Sequence, residues 1–182
     1  MSFFTKKKLL TVVVVAGMAM PLFAQADKGG SGVLNFTGEV IDAACSISAD
    51  SADQSIKLGS ATITALNAGN TAKKEFKIKL ENCDLSKDHA AKVTFTGPLN
   101  GDGTTPPDGF ATLGSASNIA IRMYEEDGTT AIKPGTSSTA VILNHTNNNE
   151  LTFVAAAEKD EASDDITEGN FTAAINFNLE YN

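Results

Sequence analysis

The chain has 182 residues, of which 42% are hydrophobic and 20% charged, no tryptophan, and a formal net charge of −8. That acidic balance and a single arginine, Arg122, exclude nucleic-acid binding, which needs clustered Lys and Arg. Abundant Thr, Ala, Gly and Asn with little helical periodicity point to an all-β protein rich in turns.

The first residues read as a secretory signal. Lys6, Lys7 and Lys8 form a basic region, Leu9 to Met20 an apolar run, and Ala24-Gln25-Ala26 a small-x-small cleavage site. The apolar run falls short of the ~18 residues a membrane span needs. Cleavage before Asp27 leaves 156 of the 182 residues, enough for one domain with a real core. Export places Cys45 and Cys83 in an oxidising compartment. One disulfide is the simple reading, against two free thiols or a metal pair. Two sulfurs with no nearby His ligate zinc poorly, so the disulfide is preferred. In the chain-entropy model such a closure contributes roughly 4 kcal/mol.

After Asp27-Lys28-Gly29-Gly30-Ser31, the stretch Gly32 to Val40 alternates. Leu34, Phe36 and Val40 share one parity; Asn35, Thr37 and Glu39 share the other, the signature of a strand with one apolar face. Gly38 interrupts the apolar row where a close backbone approach would need it. Extended residues continue from Ile41 through Ile47. Ser55–Gly59 and Thr62–Leu66 are expected as short strands, ended by a turn at Asn67 to Asn70. In Glu75–Leu80, Phe76, Ile78 and Leu80 are expected inward, Lys77 and Lys79 outward, with a bulge or turn at Glu81-Asn82.

Val93 and Phe95 give another inward pair, and Asn100 to Gly109 the longest loop. Ile119, Ile121 and Met123 alternate before an Asp127-Gly128 hairpin turn. Ala140–Leu143 is short and apolar, and Leu151, Phe153, Ala155 and Ala157 alternate again. Glu158 to Glu168 is expected as an acidic loop. The chain ends on Phe171, Ala173, Ile175, Phe177, Leu179 and Tyr181, one parity and none charged, expected as one long strand that is central or covers the core. About nine short strands at this spacing suggest a β-sandwich.

Little of this carries chemistry. His89 and His145 stand in polar, turn-like surroundings, with no nucleophile elbow, zinc helix or phosphate-binding glycine loop. Asn100, Asp102 and Thr104 alternate as in a calcium loop but lack its Gly and closing Glu. Asp160, Glu161, Asp164 and Asp165 read as a solvated loop. No catalytic set, metal site or cofactor is expected.

The segment from Phe36 to Ile47 resembles the start of major pilins of chaperone–usher fimbriae, the type 1 and P-pilus group. Gly38 lies seven residues before the first Cys, and the second follows in Asn82-Cys83. Tyr181 is penultimate, and Gly169 is the fourteenth residue from the C-terminus. The resemblance implies an all-β, incomplete immunoglobulin-like β-sandwich completed by donor-strand exchange. It implies a signal at 1–26, a donor-strand extension at 27–40 and a pilin domain at 41–182. The donor residues would be Leu34, Phe36, Gly38 and Val40. The acceptor groove, also the chaperone-recognition strand, would be Gly169, Phe171, Ala173, Ile175, Phe177, Leu179 and Tyr181. Implied partners are other pilin subunits in a homopolymer, a periplasmic chaperone and an outer-membrane usher, for a non-enzymatic extracellular fimbrium that supports adhesion. The alternative is a single-domain minor or tip pilin with its own host-receptor binding.

Overall fold

The structure, a computed structural model, describes residues 32–38, 40, 42–86, 89–101, 108–145, 148–160 and 165–182. The signal stretch, Asp27 to Ser31, Glu39, Ile41, Asp102, Thr104, Glu161 and Asp164 lie outside them. The chain divides into two units, Met1–Glu39 and Val40–Asn182. In the first, residues 32–38 have no regular secondary structure, and Leu34 and Phe36 are exposed at 80% and 89%.

The second unit contains β1 (Ser46–Ile47), α1 (Ala49–Ala52), α2 (Ile63–Asn67), β2 (Ala72–Glu81), β3 (Ala90–Thr96), β4 (Phe110–Ala111) and β5 (Leu113–Gly114). There follow β6 (Ile119–Glu125), β7 (Ala131–Ile132), β8 (Val141–Ile142), β9 (Asn149–Lys159), β10 (Phe171–Thr172) and β11 (Asn176–Tyr181). Six strands form one sheet in the order β1-β2-β9-β6-β4, with β7 also on β6. A second sheet runs β11-β3-β8, and β10 pairs with β5. All pairings are antiparallel.

Period-two patterning explains how the sheets face each other. Ile78 and Leu80 on β2, Val93 and Phe95 on β3, and Leu151 and Phe153 on β9 are all buried in one core. Phe95 meets Phe153 edge-on across the sheets, ring centres 5.2 Å apart, and Phe76 lies 6.0 Å from Phe153. Each such ring contributes roughly 1.5–3 kcal/mol by burial alone. The turn expected at Glu81-Asn82 is present, with Asn82 at φ 52°. It brings Cys83 to Cys45, and the two form a disulfide. Asp127 organises the hairpin between β6 and β7 by accepting from the N–H groups of Thr129 and Thr130.

Several sequence expectations are corrected. Thr62–Leu66 is not a strand; Ile63–Asn67 is helical because Thr62 Oγ1 accepts from Ala65 N at 3.2 Å, a helix N-cap. Ser55–Gly59 pairs with no strand among the described residues. The acidic loop starts later than expected, since Glu158 and Lys159 are still in β9, and Ile166 within it is buried. The closing stretch is two strands in different sheets rather than one, broken at 173–175. Of the two placements expected for it, central or covering the core, its second half takes the latter: β11 is an edge strand whose Phe177, Leu179 and Tyr181 pack on the core. His89 and His145 are exposed, as expected.

The outer face of the six-stranded sheet carries an ion cluster around Arg122, which is only 7% exposed. Arg122 faces outward from β6, beside Ala156 on β9. Its Nη1 donates to Glu158 at 2.7 Å and its Nη2 to Asp108 at 2.7 Å. Gly109 makes room for it: a Cβ there would sit 3.2 Å from Arg122 Cγ and 2.9 Å from Ile121 O. Tyr124 donates to the same Glu158 at 2.7 Å; burial and then that carboxylate push its phenol up to about 12. Burial alone would raise the Asp108 carboxyl, but hydrogen bonding to Arg122 and its charge outweigh that and hold it below the ordinary value.

A carboxyl held low in the fold contributes stability above its unfolded pKa of about 4, and that contribution is lost as pH falls through the lower, folded value. Asp108→Asn is therefore expected to lower the melting temperature at neutral pH and to converge on the unaltered protein in acid. Parallel thermal melts across that range check this; curves offset equally at every pH would refute it.

Candidate functional site

The site is built on the free side of β11. Phe177, Leu179 and Tyr181 lie opposite Phe95, Val93 and Ala91 of β3 in register. All six side chains belong to the same layer between the sheets. The β3 members are fully covered, at 2%, 0% and 0% exposure, while those of β11 pack on the core yet remain half-covered. Burial is thus complete one strand in and fades at the edge strand itself, leaving along β11 a half-covered apolar strip where the resemblance puts the acceptor groove. Between these residues, Asn176, Asn178 and Glu180 point outward and are exposed.

The backbone shows the same asymmetry. The other flank of β3 is satisfied by β8 and then by Ser138, which exchanges bonds with Val93: Val93 N donates to Ser138 Oγ and Ser138 N to Val93 O. The flank of β2 beyond β1 is likewise covered, because Ser48 N and Gln54 Nε2 donate to its carbonyls and Ser51 Oγ accepts from Lys79 N. Among the described residues, β11 pairs with β3 alone. Unpaired N–H and C=O groups along a strand are a template for another strand.

Both ends of the groove are pinned. At one end Tyr181 Oη donates to Cys45 O at 3.3 Å, tying β11 to the disulfide; burial raises its phenol pKa. Cys83 Sγ in turn accepts from buried Asn149 at 3.4 Å. At the other end the chain crosses between sheets at 173–175, passing so close to Gly97 that a Cβ there would lie 2.9 Å from Ala174 O. Before the crossing, Ser115 N and Ala116 N both donate to Asn170 O, at 3.0 and 3.1 Å, and Asn170 N donates to Ser115 Oγ. Gly114 (φ 146°) and Gly169 (φ 152°) permit this clasp, since a Cβ on either would run into the opposing backbone.

Of the sequence-expected residues, the structure gathers Phe171, Ile175, Phe177, Leu179 and Tyr181 against the core, and Cys45 with Cys83. Ala173 and Gly169 are exposed, the one in the crossing and the other in the clasp. Leu34, Phe36 and Gly38 are exposed on the first unit, and Val40, the first residue of the second, is exposed at 100%. Sequence reasoning missed Gly97, Gly114, Ser115 and Asn170. The Gly-polar pairs Gly114-Ser115 and Gly169-Asn170 are the only local signal for them.

The described residues thus leave β11 with a half-covered apolar face and one unpaired flank. The family model for "Fimbrial protein" matches residues 34–182. The chain belongs to the fimbrial protein family. It is 37% identical over 176 residues to the Fimbria A protein of Serratia marcescens, covering 96% of this chain and 97% of that one. A solved chaperone–usher pilus, described for rod uncoiling, matches with a TM-score of 0.71 at 34% identity, covering 84% of this chain and 96% of its subunit. The P pilus rod subunit PapA matches with a TM-score of 0.66 at 32% identity, covering 77% of this chain and 100% of that one. The fold of this fimbrial protein is thus the incomplete immunoglobulin-like sandwich of chaperone–usher pilins. Among the described residues no helix is long and apolar enough to cross a membrane.

Gly114→Val is expected to force the clasp open and to destabilise this fimbrial protein by about 1–3 kcal/mol. Limited proteolysis should then cut within 165–175 before the rest of the body. Cleavage and melting unchanged from the unaltered protein would show that the clasp does not hold the closing stretch.

Proposed function

We propose that the chain is a structural subunit of a chaperone–usher fimbria that polymerises by lending its N-terminal strand to the next copy. The observation that carries this reading is the half-covered groove along β11, whose only strand partner among the described residues is β3. The donor is the segment 27–40, exposed after export removes residues 1–26. Leu34, Phe36 and Val40 would fill the groove beside Phe177, Leu179 and Tyr181, and Gly38 would let the two backbones approach.

Strand addition to an open edge supplies main-chain hydrogen bonds for affinity and side-chain pockets for register; pilin complementation is itself a standing example of it. Burying Leu34, Phe36 and Val40 would contribute roughly 1.5–3 kcal/mol each. Ladder bonds add about 1 kcal/mol apiece. A contact that runs head to tail without closing builds a filament. Before assembly the same groove would take a strand from a periplasmic chaperone. The outer-membrane usher would be where the exchange occurs. The product is an extracellular fimbrium that serves adhesion, with no catalytic role for the subunit itself.

Phe36→Asp puts a charge on the donated face without touching the core, because Phe36 is 89% exposed in the subunit. The variant is expected to fold with an unchanged melting temperature and to give few or very short filaments by electron microscopy. Filaments of normal length would refute the donor assignment.

A further inference from the structure

Asn100-Gly101 is the sole Asn-Gly pair in the sequence. It is the dipeptide most prone to lose its side-chain amide, because glycine leaves the following backbone nitrogen unhindered. Gly101 has φ 96°, a backbone that glycine alone adopts readily. Asn100 faces Gly109 where the chain before 101 meets the chain after 108: Asn100 N donates to Gly109 O at 3.2 Å and Ala111 N to Pro98 O at 2.9 Å.

Its side chain is held from three directions. Oδ1 accepts from Gly109 N at 2.9 Å, and Nδ2 donates to Asp108 Oδ1 at 3.3 Å and to Asp160 Oδ1 at 3.1 Å. Gly109 N can only donate, so the oxygen must face it and the amino group must face the two carboxylates. The amide is therefore the neutral bridge between two acids. Arg122, the nearest cation of the cluster, is already engaged by Asp108 and Glu158.

We propose that Asn100 is a latent deamidation site, held unreacted by the fold, whose conversion turns this junction from cohesive to self-repelling. In the reaction, Gly101 N attacks Asn100 Cγ. A C–N bond forms, ammonia leaves with the proton from Gly101 N, and a cyclic imide results. Water then opens the ring at one carbonyl to aspartate or at the other to isoaspartate. No oxidant or reductant is involved. The attack requires the carboxamide to swing over Gly101 N, which breaks the three bonds above. The new carboxylate would then oppose Asp108 and Asp160 where a donor had joined them, and like charges at such separation repel.

The test uses the purified mature chain at mildly alkaline pH, folded or unfolded in urea, with Asn100 conversion followed by peptide mass mapping and isoaspartate detection. Conversion in the folded chain is expected to be at least about tenfold slower, since reaction proceeds only through local opening. Asp160→Ala, which removes one acceptor, should move the folded rate toward the unfolded one. Equal rates in folded and unfolded chains would overturn the proposal.

The charge effect is read separately from Asn100→Asp against Asn100→Ser, both of which lose the amide. At neutral pH the Asp variant should melt lower and be cut faster at 98–111, and the difference should vanish in acid as carboxylates protonate. Equal melting and cleavage at neutral pH would overturn it as well. Should Asn100→Asp fail to fold, the aged unaltered chain supplies the converted species for the same comparison.

Discussion

An antiparallel strand has two flanks of backbone donors and acceptors, and β11 has a strand on one of them. Opposite Phe177, Leu179 and Tyr181 stand fully buried partners on β3, while those three keep part of their apolar surface in the open. A missing strand thus costs the subunit twice, in ladder hydrogen bonds and in burial. Two other flanks of this sandwich are dressed by side chains and short strands, one common way of blunting an edge. The edge beyond β2 is closed by Ser48, Ser51 and Gln54, and the far side of β3 by β8 and Ser138. Among the described residues the flank of β11 away from β3 has no such strand or side-chain cover.

A groove is useful only if it keeps its shape while empty of a neighbour. Here both ends are fixed by interactions with parts of the chain outside β11. The disulfide and the Tyr181 hydrogen bond to Cys45 set one end. At the other, two glycines let backbones close on each other at 114–116 and 169–171, after which the chain crosses to the second sheet past Gly97. Framing of this kind would lower the ordering cost met by a strand added there, as the proposed exchange requires. The Arg122 cluster lies on the opposite face of the six-stranded sheet, where it joins the segment before β4 to the end of β9.

Much of this was legible from residue order. Phe76, Ile78 and Leu80, then Val93 and Phe95, then Leu151 declare their faces by alternation alone, because both neighbours of each are polar; Phe153 keeps the phase of Leu151 although Val154 follows it. The same rule failed at Thr62–Leu66, where β-branched Thr and Ile mimic a strand while the Thr62 hydroxyl starts a helix. It failed again at the closing stretch. Six apolar residues of one parity conceal a break whose cause is remote in sequence, at Gly97 and Gly114. Arg122 offered no hint of its role either, since its carboxylates come from 14 and 36 residues away. Local pattern reports which face a residue occupies; which strand lies alongside is decided by contacts the pattern does not contain.

The most direct measurement is residue-resolved amide hydrogen exchange along β11, in the isolated subunit and in assembled filaments. The amides of 176–181 that face away from β3 should exchange freely in the subunit and become strongly protected on assembly, together with those of 34–40. Slow exchange of these amides in the subunit already, or no gain in protection on assembly, would contradict a groove that is filled by a neighbouring copy.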